Sequence, residues 1–525
     1  MRPSLFAPLA LALLLTFGSP VHADDDAPKD AAKTAQADKD SKKDELPIPP
    51  ERSVVSKHSV RIGNRTISYK ATAGTLLIKD DKDKPAVSMF YVAYTVDNGK
   101  PGKRPVTFMY NGGPGSSSMW LHMGSFGPVR VANRGDQPIP PPPYETVPNG
   151  DSLLDKTDLV FIDAPGTGYS QLVGAAKGKD YYGIDQDADA FAKFITRYVS
   201  DNHRWNSPKF LFGESYGTTR SAVLVKLLQE QGMEFNGVVL MSSILDFNVW
   251  SNTGVDHAYI VNLPTEAAIA WYHNKVSDKS GPNKPADLAS FLAGVRHFAD
   301  TDYTLALAKG DAIEPAEADR IASQLSQYLG LSPTYIKEAN LRIDPSRFRK
   351  ELLRDQRRTV GRLDGRFEGI DPDAAGETPD GDAASDAATG AYLAAFNQYA
   401  TAELKYPSDH AYLPNNYGVI NRGWDWARKQ GHGFTQAPYV GTDLADAMRR
   451  NPHLKVFSAN GYYDLATPFY ATEFDLGHLG LDPAISRNIE FGFYPSGHMI
   501  YFDVDALKQL KADLARFYDE TAPQS

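Results

Sequence analysis

The chain has 525 residues, of which 42% are hydrophobic and 23% charged, so it is long enough for a large core and has an ordinary globular composition. Its net charge of −10 provides no basic surface for nucleic acid. Because cysteine is absent, disulfide bonds, thiol catalysis and cysteine-ligated metals are excluded. No metal or organic cofactor is indicated.

Residues 1–23 are predicted to be an export signal. Arg2 supplies a positive start, residues 5–17 are almost wholly apolar, and Val21-His22-Ala23 is a small-residue cleavage pattern. A retained membrane anchor is the alternative, although the apolar run is short for a bilayer. We therefore expect a periplasmic or secreted protein that is free of the membrane once the signal is cleaved.

Residues 24–50 are rich in Asp, Lys and Ala and predict a disordered tether. The first part of the core is expected over residues 51–250, where β-branched and alternating stretches begin. Strands are predicted at 61–70, 74–78 and 86–95, with a polar turn at 79–85.

Four short apolar runs then stop at glycine-rich or other tight turns. They alternate with helical stretches such as 188–199, which indicates a parallel sheet in an α/β fold. Catalytic groups in such sheets lie beyond the carboxyl ends of the strands, where these turns fall. The runs are 106–110, 159–163, 210–212 and 454–458.

Residues 251–409 break this rhythm and predict a largely helical insertion that caps the core, before the second part of the core at 410–525. Helices are expected at 264–272, 314–329 and 391–404. The acidic, small-residue segment 369–390 is predicted to be a flexible loop. Within it, Asp371-Pro372-Asp373 lacks the full ligand alternation of a calcium loop and is better explained as solvated.

Gly213-Glu214-Ser215-Tyr216-Gly217 matches G-x-S-x-G. Taken alone, five residues match by coincidence more often than not. Here, however, an apolar run precedes the motif and the helix-prone residues 221–229 follow it. A strand, sharp turn and helix form the nucleophile elbow, so Ser215 is the candidate nucleophile.

A serine nucleophile needs a base, and the base needs a carboxylate to hold it. In this fold the chain order is Ser, then Asp or Glu, then His. Asp464 and His498 each follow a predicted strand late in the chain, in that order. They complete a candidate catalytic triad with Ser215.

The loop Asn111-Gly112-Gly113-Pro114-Gly115 follows the strand that ends at Tyr110. Its glycines can present backbone N–H groups to an oxyanion, together with the N–H of Tyr216. The alternative is a phosphate-binding loop, but the lysine and threonine of that motif are absent here.

These motifs resemble the serine carboxypeptidase family. The matching stretches are 111–118 (NGGPGSSS), 163–170 (DAPGTGYS), 213–217 (GESYG) and 497–499 (GHM). The resemblance implies an α/β-hydrolase fold with a helical cap and an exopeptidase that cleaves the C-terminal residue from peptides. It also implies that the N–H groups of Gly113 and Tyr216 are the oxyanion donors, and that Asn111 and Glu214 bind the substrate carboxylate.

Glu214 can hydrogen-bond the carboxylate of a substrate only if one of the two groups carries a proton. We therefore expect the protein to prefer acidic pH. The sequence departs from the family pattern at Met109, Ser116 and Ser125, where the family has tryptophan, cysteine and glutamate, and at 149–153 (NGDSL). Part of the shell around the carboxylate site is therefore changed.

Two other hypotheses remain open. A related serine hydrolase of different specificity could be an esterase, an acyltransferase or an aminopeptidase that resembles proline iminopeptidases. A catalytically dead binding protein would keep the fold but lose the triad, whereas all three triad residues are present here.

Overall fold

The structure is a computed structural model that describes residues 45–97, 102–133, 135–250, 256–276, 287–428 and 437–522. The predicted signal segment 1–23 and residues 24–44 of the predicted tether lie outside the described residues. The elements below belong to one unit that begins at Leu46.

A mixed ten-stranded sheet runs through the fold. Its strand order is β1-β2-β3-β7-β4-β9-β10-β13-β14, and β8 adds to β3. The first strands pair antiparallel, whereas the six strands from β7 to β14 along this path are parallel. The strands are β1 (Ser53–Ile62), β2 (Arg65–Lys79), β3 (Pro85–Val96), β4 (Val106–Tyr110), β5 (Val129–Val131), β6 (Thr146–Pro148), β7 (Asp158–Ile162), β8 (Gln171–Leu172), β9 (Lys209–Glu214), β10 (Gly237–Met241), β11 (Thr359–Val360), β12 (Glu368–Gly369), β13 (Lys455–Gly461) and β14 (Ile489–Tyr494).

Helices cover both faces of the sheet. Successive side chains of a strand point to opposite faces, so a strand that is apolar throughout needs a covering layer on each face. In β9, Leu211 joins one core with Phe191 of α2, whereas Phe212 joins the other core with Leu514 of α15. The helices are α1 (Met119–Leu121), α2 (Ile184–Asp201), α3 (Tyr216–Glu230), α4 (His257–Tyr272), α5 (Leu288–Phe298), α6 (Thr304–Ala308), α7 (Pro315–Leu329), α8 (Pro333–Glu338), α9 (Pro345–Glu351), α10 (Ala383–Gln398), α11 (Tyr417–Ile420), α12 (Gly441–Arg450), α13 (Phe469–Gly477), α14 (Pro483–Ser486) and α15 (Val504–Thr521).

Parallel strands with helices on both faces, and a nucleophile motif between β9 and α3, confirm the predicted α/β-hydrolase fold. Among the described residues, no helix combines the length and the apolarity needed to cross a bilayer.

A third hydrophobic core lies among helices α4 to α9. Leu292, Ile321 and Phe348 belong to it, together with Tyr463 and Leu465 on either side of Asp464. The helical region is therefore packed against one of the predicted catalytic loops. The division of the chain at residues 250 and 409 stays a prediction.

Four local predictions differ from the structure. The predicted gap between strands at 71–73 is part of β2, which continues through Gly74. A Cβ on Gly74 would lie 2.5 Å from the Arg52 carbonyl oxygen, so this glycine permits a close strand contact and does not mark a turn. The predicted helix 391–404 starts too late, because α10 begins at Ala383, whereas its predicted end is nearly right, because a π-helical turn continues α10 to Glu403.

The segment 369–390 is also not one flexible loop. Its last eight residues are helical, and Ala384 and Ala388 pack in the sheet core. Asp371 is not solvated, because its side chain is buried and forms an ion pair of 2.5 Å with the buried Lys350. Lys350 supplies the positive charge that this carboxylate requires.

Candidate active site

Ser215 lies at the turn between β9 and α3 and has φ 60° and ψ −131°. This backbone region is rarely adopted by residues other than glycine, so the turn is strained. The Ser215 N–H donates a 3.0 Å hydrogen bond to the Met241 carbonyl on the neighbouring strand, which supports the turn. Ser215 is partly exposed between the buried Glu214 and Tyr216 and lines a cavity.

The Nδ1 of His498 lies 2.8 Å from Oδ2 of Asp464. Asp464 is fully buried, and its Oδ1 accepts the N–H groups of Ala466 and Thr467 at 2.8 and 3.0 Å. The Thr467 hydroxyl donates to Oδ2 at 2.6 Å. These donors fix the carboxylate so that it orients the His498 ring.

Burial acts to lower the pKa of His498, but the negative charge and hydrogen bond of Asp464, with a further contribution from Glu214, raise the pKa above its usual value. The Asp464 carboxylate therefore favours the protonated form of the His498 ring.

The glycine loop after β4 packs directly on the start of α3. A Cβ on Gly112 would lie 2.4 Å from the backbone nitrogens of both Tyr216 and Gly217. Gly113 has φ +109°, a conformation that other residues rarely adopt. Tyr216 is the first residue of α3, where a backbone N–H has no partner within the helix. The loop and the helix start therefore meet where two oxyanion donors are expected.

Glu214 is buried, and its two carboxylate oxygens accept from the Tyr501 hydroxyl at 3.3 and 3.0 Å. Burial raises the pKa of Glu214 to about 7, although His498, Tyr501 and Asn111 act to lower it. Asn111 is buried as well, and its Oδ1 accepts the Leu121 N–H at 2.9 Å. The predicted carboxylate-binding pair thus consists of a fixed amide and a carboxyl group that titrates near neutrality.

A buried ion pair between α2 and α3 supports the glycine loop that contains Asn111. Arg220 on α3 binds Asp187 on α2 at 2.6 and 3.1 Å and donates to the Asn111 carbonyl at 2.8 Å. The guanidinium also lies 4.2 Å from the centroid of the Phe191 ring. Helices α2 and α3 therefore hold the glycine loop in position.

The segment 362–366 (RLDGR), here called the strap, connects the helical region to both triad loops. The Leu363 carbonyl accepts the His498 N–H at 2.6 Å, and the Arg362 carbonyl accepts the Leu465 N–H at 3.0 Å. Asp364 accepts the Gly497 N–H at 3.1 Å. The loops that carry the base and its carboxylate are thus tied to the same five residues.

The cavity in front of Ser215 has a volume of about 510 Å³. Its lining residues come from the glycine loop, the nucleophile elbow, the strap and the two triad loops, and from residues 382–421: Asn111, Gly112, Gly113, Ser116, Trp120, Glu214, Ser215, Arg362, Leu363, Asp382, Ser385, Asn415, Tyr417, Asn421, Ala466, Thr467, His498 and Met499. Across the described ranges, no cluster of three His, Asp or Glu side chains is arranged to hold a metal ion.

The structure thus brings the residues that the sequence predicted to one place. Ser215, His498, Asn111, Glu214 and Gly113 line the cavity. The other two lie behind it, Asp464 against the His498 ring and Tyr216 with its backbone at the start of α3.

Four further residues of the site were not predicted from the sequence: Thr467, Tyr501, Tyr417 and Arg362. Thr467 follows Asp464 at the spacing of a local side-chain turn, and Tyr501 follows the GHM motif closely, so proximity to a motif could have indicated these two. Tyr417 and Arg362 lie far from any motif, and nothing in the sequence points to them.

The sheet, the nucleophile elbow and the residues behind it define a serine hydrolase of the α/β-hydrolase class. The family model of serine carboxypeptidases matches residues 63–341, just over half of the chain. The chain therefore belongs to the serine carboxypeptidase family.

Two curated relatives are similar to parts of the chain. "Serine carboxypeptidase-like 45" of Arabidopsis thaliana is 25% identical over 244 residues, which are 43% of this chain and 46% of the relative. "Pheromone-processing carboxypeptidase KEX1" of Saccharomyces cerevisiae is 32% identical over 147 residues, which are 26% of this chain and 19% of the relative. The chain thus spans less than half of the length of either relative.

Among solved structures, a proline iminopeptidase of Mycobacterium smegmatis is similar to this chain at 11% identity and a TM-score of 0.36. The match covers 89% of this chain and 99% of that one. This likeness is too distant to bear on function.

Proposed function

We propose that the chain is a serine-type carboxypeptidase that hydrolyses peptide bonds at the C-terminus through an acyl-enzyme and favours acidic pH. The observation that carries this proposal is the buried Glu214, which lines the cavity beside Asn111 and Ser215 and whose pKa burial raises to about 7. Below pH 7 Glu214 holds a proton that it can donate to the carboxylate of a peptide end, and above pH 7 that proton is lost. Such a group favours substrates with a free C-terminus.

In the proposed mechanism, Ser215 attacks the scissile carbonyl while His498 takes its proton and then protonates the leaving amine. Asp464 orients the ring and stabilises the imidazolium. The N–H groups of Gly113 and Tyr216 stabilise the oxyanion. Water then hydrolyses the acyl-enzyme by the same route.

Glu214 and His498 interact electrostatically, and each shifts the pKa of the other. The productive state has the proton on Glu214 and a neutral His498, so the two groups titrate as a coupled pair. A bound substrate carboxylate favours this state because it attracts the proton to Glu214. We therefore expect kcat/KM for peptides to fall above pH 7, where Glu214 loses its proton.

A second candidate is a related serine hydrolase that uses the same triad as an esterase, acyltransferase or aminopeptidase-like peptidase. Ser125 favours this alternative, because its hydroxyl donates to the Leu121 carbonyl at 2.5 Å where the family has a carboxyl group. A second departure from the family pattern is the buried Met109, which stands where the family has a tryptophan.

The test is release of the C-terminal residue from an N-blocked dipeptide between pH 4 and 8. Replacement of Ser215 by Ala should reduce kcat by about 10⁶. Release that needs Ser215, weakens above pH 7 and weakens when the substrate is amidated supports the carboxypeptidase. Ser215-dependent cleavage of simple esters alone supports the second candidate, and a requirement for a free N-terminus supports an aminopeptidase.

We further propose that the protein acts on peptides in the periplasm or outside the cell, on the strength of the predicted signal at residues 1–23. N-terminal sequencing of the exported protein tests this. A mature chain that starts at Asp24 supports the proposal, whereas an uncleaved chain in the cytoplasm contradicts it.

A further inference from the structure

The cavity contains a positive charge that the proposed mechanism does not use. Arg362 is an exposed residue of the strap that lines the cavity together with Ser215 and His498. The other charged residues of the lining are Glu214 and Asp382. Arg362 is therefore the one permanent cation beside the nucleophile among the described lining residues.

In the part of the chain that the structure describes, the Arg362 guanidinium makes no hydrogen bond or ion pair. The nearby carboxylate of Asp382 is already engaged, because it accepts the backbone N–H groups of Arg362 and Leu363 at 2.8 and 3.3 Å and the Ser385 hydroxyl at 3.4 Å. Arginine presents five donors in a fork that fits a carboxylate. The Arg362 fork is thus available to a carboxylate from outside the protein.

The backbone of Arg362 is held by hydrogen bonds, whereas its guanidinium forms none with the described residues. The Arg362 N–H is held by Asp382, and the Arg362 carbonyl accepts the Leu465 N–H next to Asp464. The positive charge also reaches the site, because it acts on the His498 ring and opposes the effects of Asp464 and Glu214 on that pKa. Only the side chain remains to be ordered by a ligand.

We propose that Arg362 is a specificity residue that binds a carboxylate of the peptide substrate within the cavity. This inference rests on the proposed carboxypeptidase function. The carboxylate has two sources, an Asp or Glu side chain beside the scissile bond or the terminal α-carboxylate itself, and both are met by the same bidentate chemistry.

The experiment uses N-blocked dipeptides. One pair carries Glu or Gln at the last position, and a second pair carries Glu or Gln at the position before it. Each peptide is prepared with a free and with an amidated C-terminus. They are assayed with the wild type, Arg362→Gln and Arg362→Lys. Arg357→Gln is the matched control, because Arg357 is an exposed arginine five residues away that does not line the cavity.

We expect the wild type to prefer a carboxylate at one of these places by about tenfold in kcat/KM, the scale of a charged hydrogen-bonded pair. Arg362→Gln should abolish a preference for Glu over Gln, or weaken a preference for free over amidated ends to the part that Glu214 provides. Arg362→Lys should keep part of the effect, and Arg357→Gln should leave the preference unchanged. Loss in Arg362→Gln of a preference for Glu over Gln identifies a side-chain carboxylate, whereas a weakened preference for free over amidated ends identifies the α-carboxylate.

Equal losses on acidic and neutral, free and amidated substrates would overturn the assignment, and so would no change in any of them. Calorimetric binding of the same peptides to Ser215→Ala protein separates this inference from the proposed function, because binding needs no turnover. Weaker binding of the carboxylate peptides to the Ser215→Ala, Arg362→Gln double variant supports Arg362 even if the enzyme proves to be an esterase. Equal binding to both proteins contradicts it.

Discussion

At the scale of single residues, the oxyanion donors depend on a missing side chain. The backbone of Gly112 lies so close to the first turn of α3 that a Cβ there would be 2.4 Å from the Tyr216 nitrogen. Real side chains do not approach backbone atoms this closely, so any substituent must push the glycine loop away from the helix. The N–H groups of Gly113 and Tyr216, the predicted oxyanion donors, would then move apart.

We therefore predict that Gly112→Ala lowers kcat by about 10²–10³, the effect of removing an oxyanion donor. Gly418→Ala is the control, because a Cβ at Gly418 would meet no atom within 4 Å and this glycine lies on α11 near the cavity. Steady-state kinetics on a peptide and on an ester report the effect. An unchanged kcat in Gly112→Ala would mean that the glycine loop does not supply an oxyanion donor.

Glu214 provides a second prediction at this scale. An amide donates hydrogen bonds at every pH, so Glu214→Gln should remove the fall of kcat/KM above pH 7 that the raised pKa of Glu214 predicts. The measurement is the pH profile for a peptide with a free end, with an ester substrate as reference. If the profile of the variant still falls above pH 7, another group is responsible.

At the scale of elements, the strap depends on one arginine. Arg366 binds Asp364 at 2.7 and 3.0 Å and donates to the Pro495 carbonyl at 2.8 Å and to Asp503 at 3.0 Å. Arg366 and Asp364 are both buried. Removal of the partner of a buried carboxylate lowers the free energy of unfolding far more than removal of the partner of a carboxylate at the surface.

Arg366→Gln should therefore lower the free energy of unfolding by about 3 kcal/mol or more. The matched variant Arg516→Gln removes an ion pair with Asp513 in which the arginine is half exposed, and it should change stability by less than about 1 kcal/mol. Urea unfolding of both variants gives the comparison. Equal stability of the two variants would show that the strap is not held by Arg366.

The strap could not be predicted from the sequence, in contrast to the triad. Ser215, Asp464 and His498 could be predicted because each belongs to a local motif and their order is characteristic of the fold. The strap has no such motif, since its role comes from hydrogen bonds to residues about 100 or more positions away. Segment 369–390 was misjudged for a related reason: its small residues suggest a loop, whereas Ala384 and Ala388 are buried in a core that the sequence does not display.

At the scale of the whole molecule, a buried acid links folding to pH. Asp163 is buried where Ser118 and Tyr169 donate N–H groups and Tyr412 donates its hydroxyl. Burial raises its pKa from 3.8 to about 7, against these hydrogen bonds. Between these values the folded protein keeps a proton that the unfolded chain has released, so this group contributes stability at acidic pH that is lost as the pH rises to 7.

Asp163→Asn cannot titrate and should remove this contribution. We expect the free energy of unfolding of the wild type to fall, relative to the variant, by about 1 kcal/mol per pH unit between pH 5 and 6.5. Denaturant unfolding of both proteins at several pH values measures the difference. Parallel pH dependences would contradict a raised pKa at Asp163.

The sheet as a whole was largely predictable. Its parallel strands are buried apolar runs that end at recognisable turns, and β4, β7 and β9 lie where those runs predicted them. The long antiparallel strand β2 (Arg65–Lys79) was predicted only as the separate stretches 61–70 and 74–78. The sequence does not display the close contact of Gly74 with the Arg52 carbonyl that the continuous strand makes.

The ties between the strap and both triad loops have a consequence for turnover. A covering region that shares hydrogen bonds with the loops of His498 and Asp464 cannot lift away without breaking hydrogen bonds of both loops. We therefore expect that no opening motion precedes each catalytic cycle and that substrates are sorted by size at a fixed aperture. A free chain end needs the width of one extended strand at such an aperture, whereas an internal loop needs the width of two.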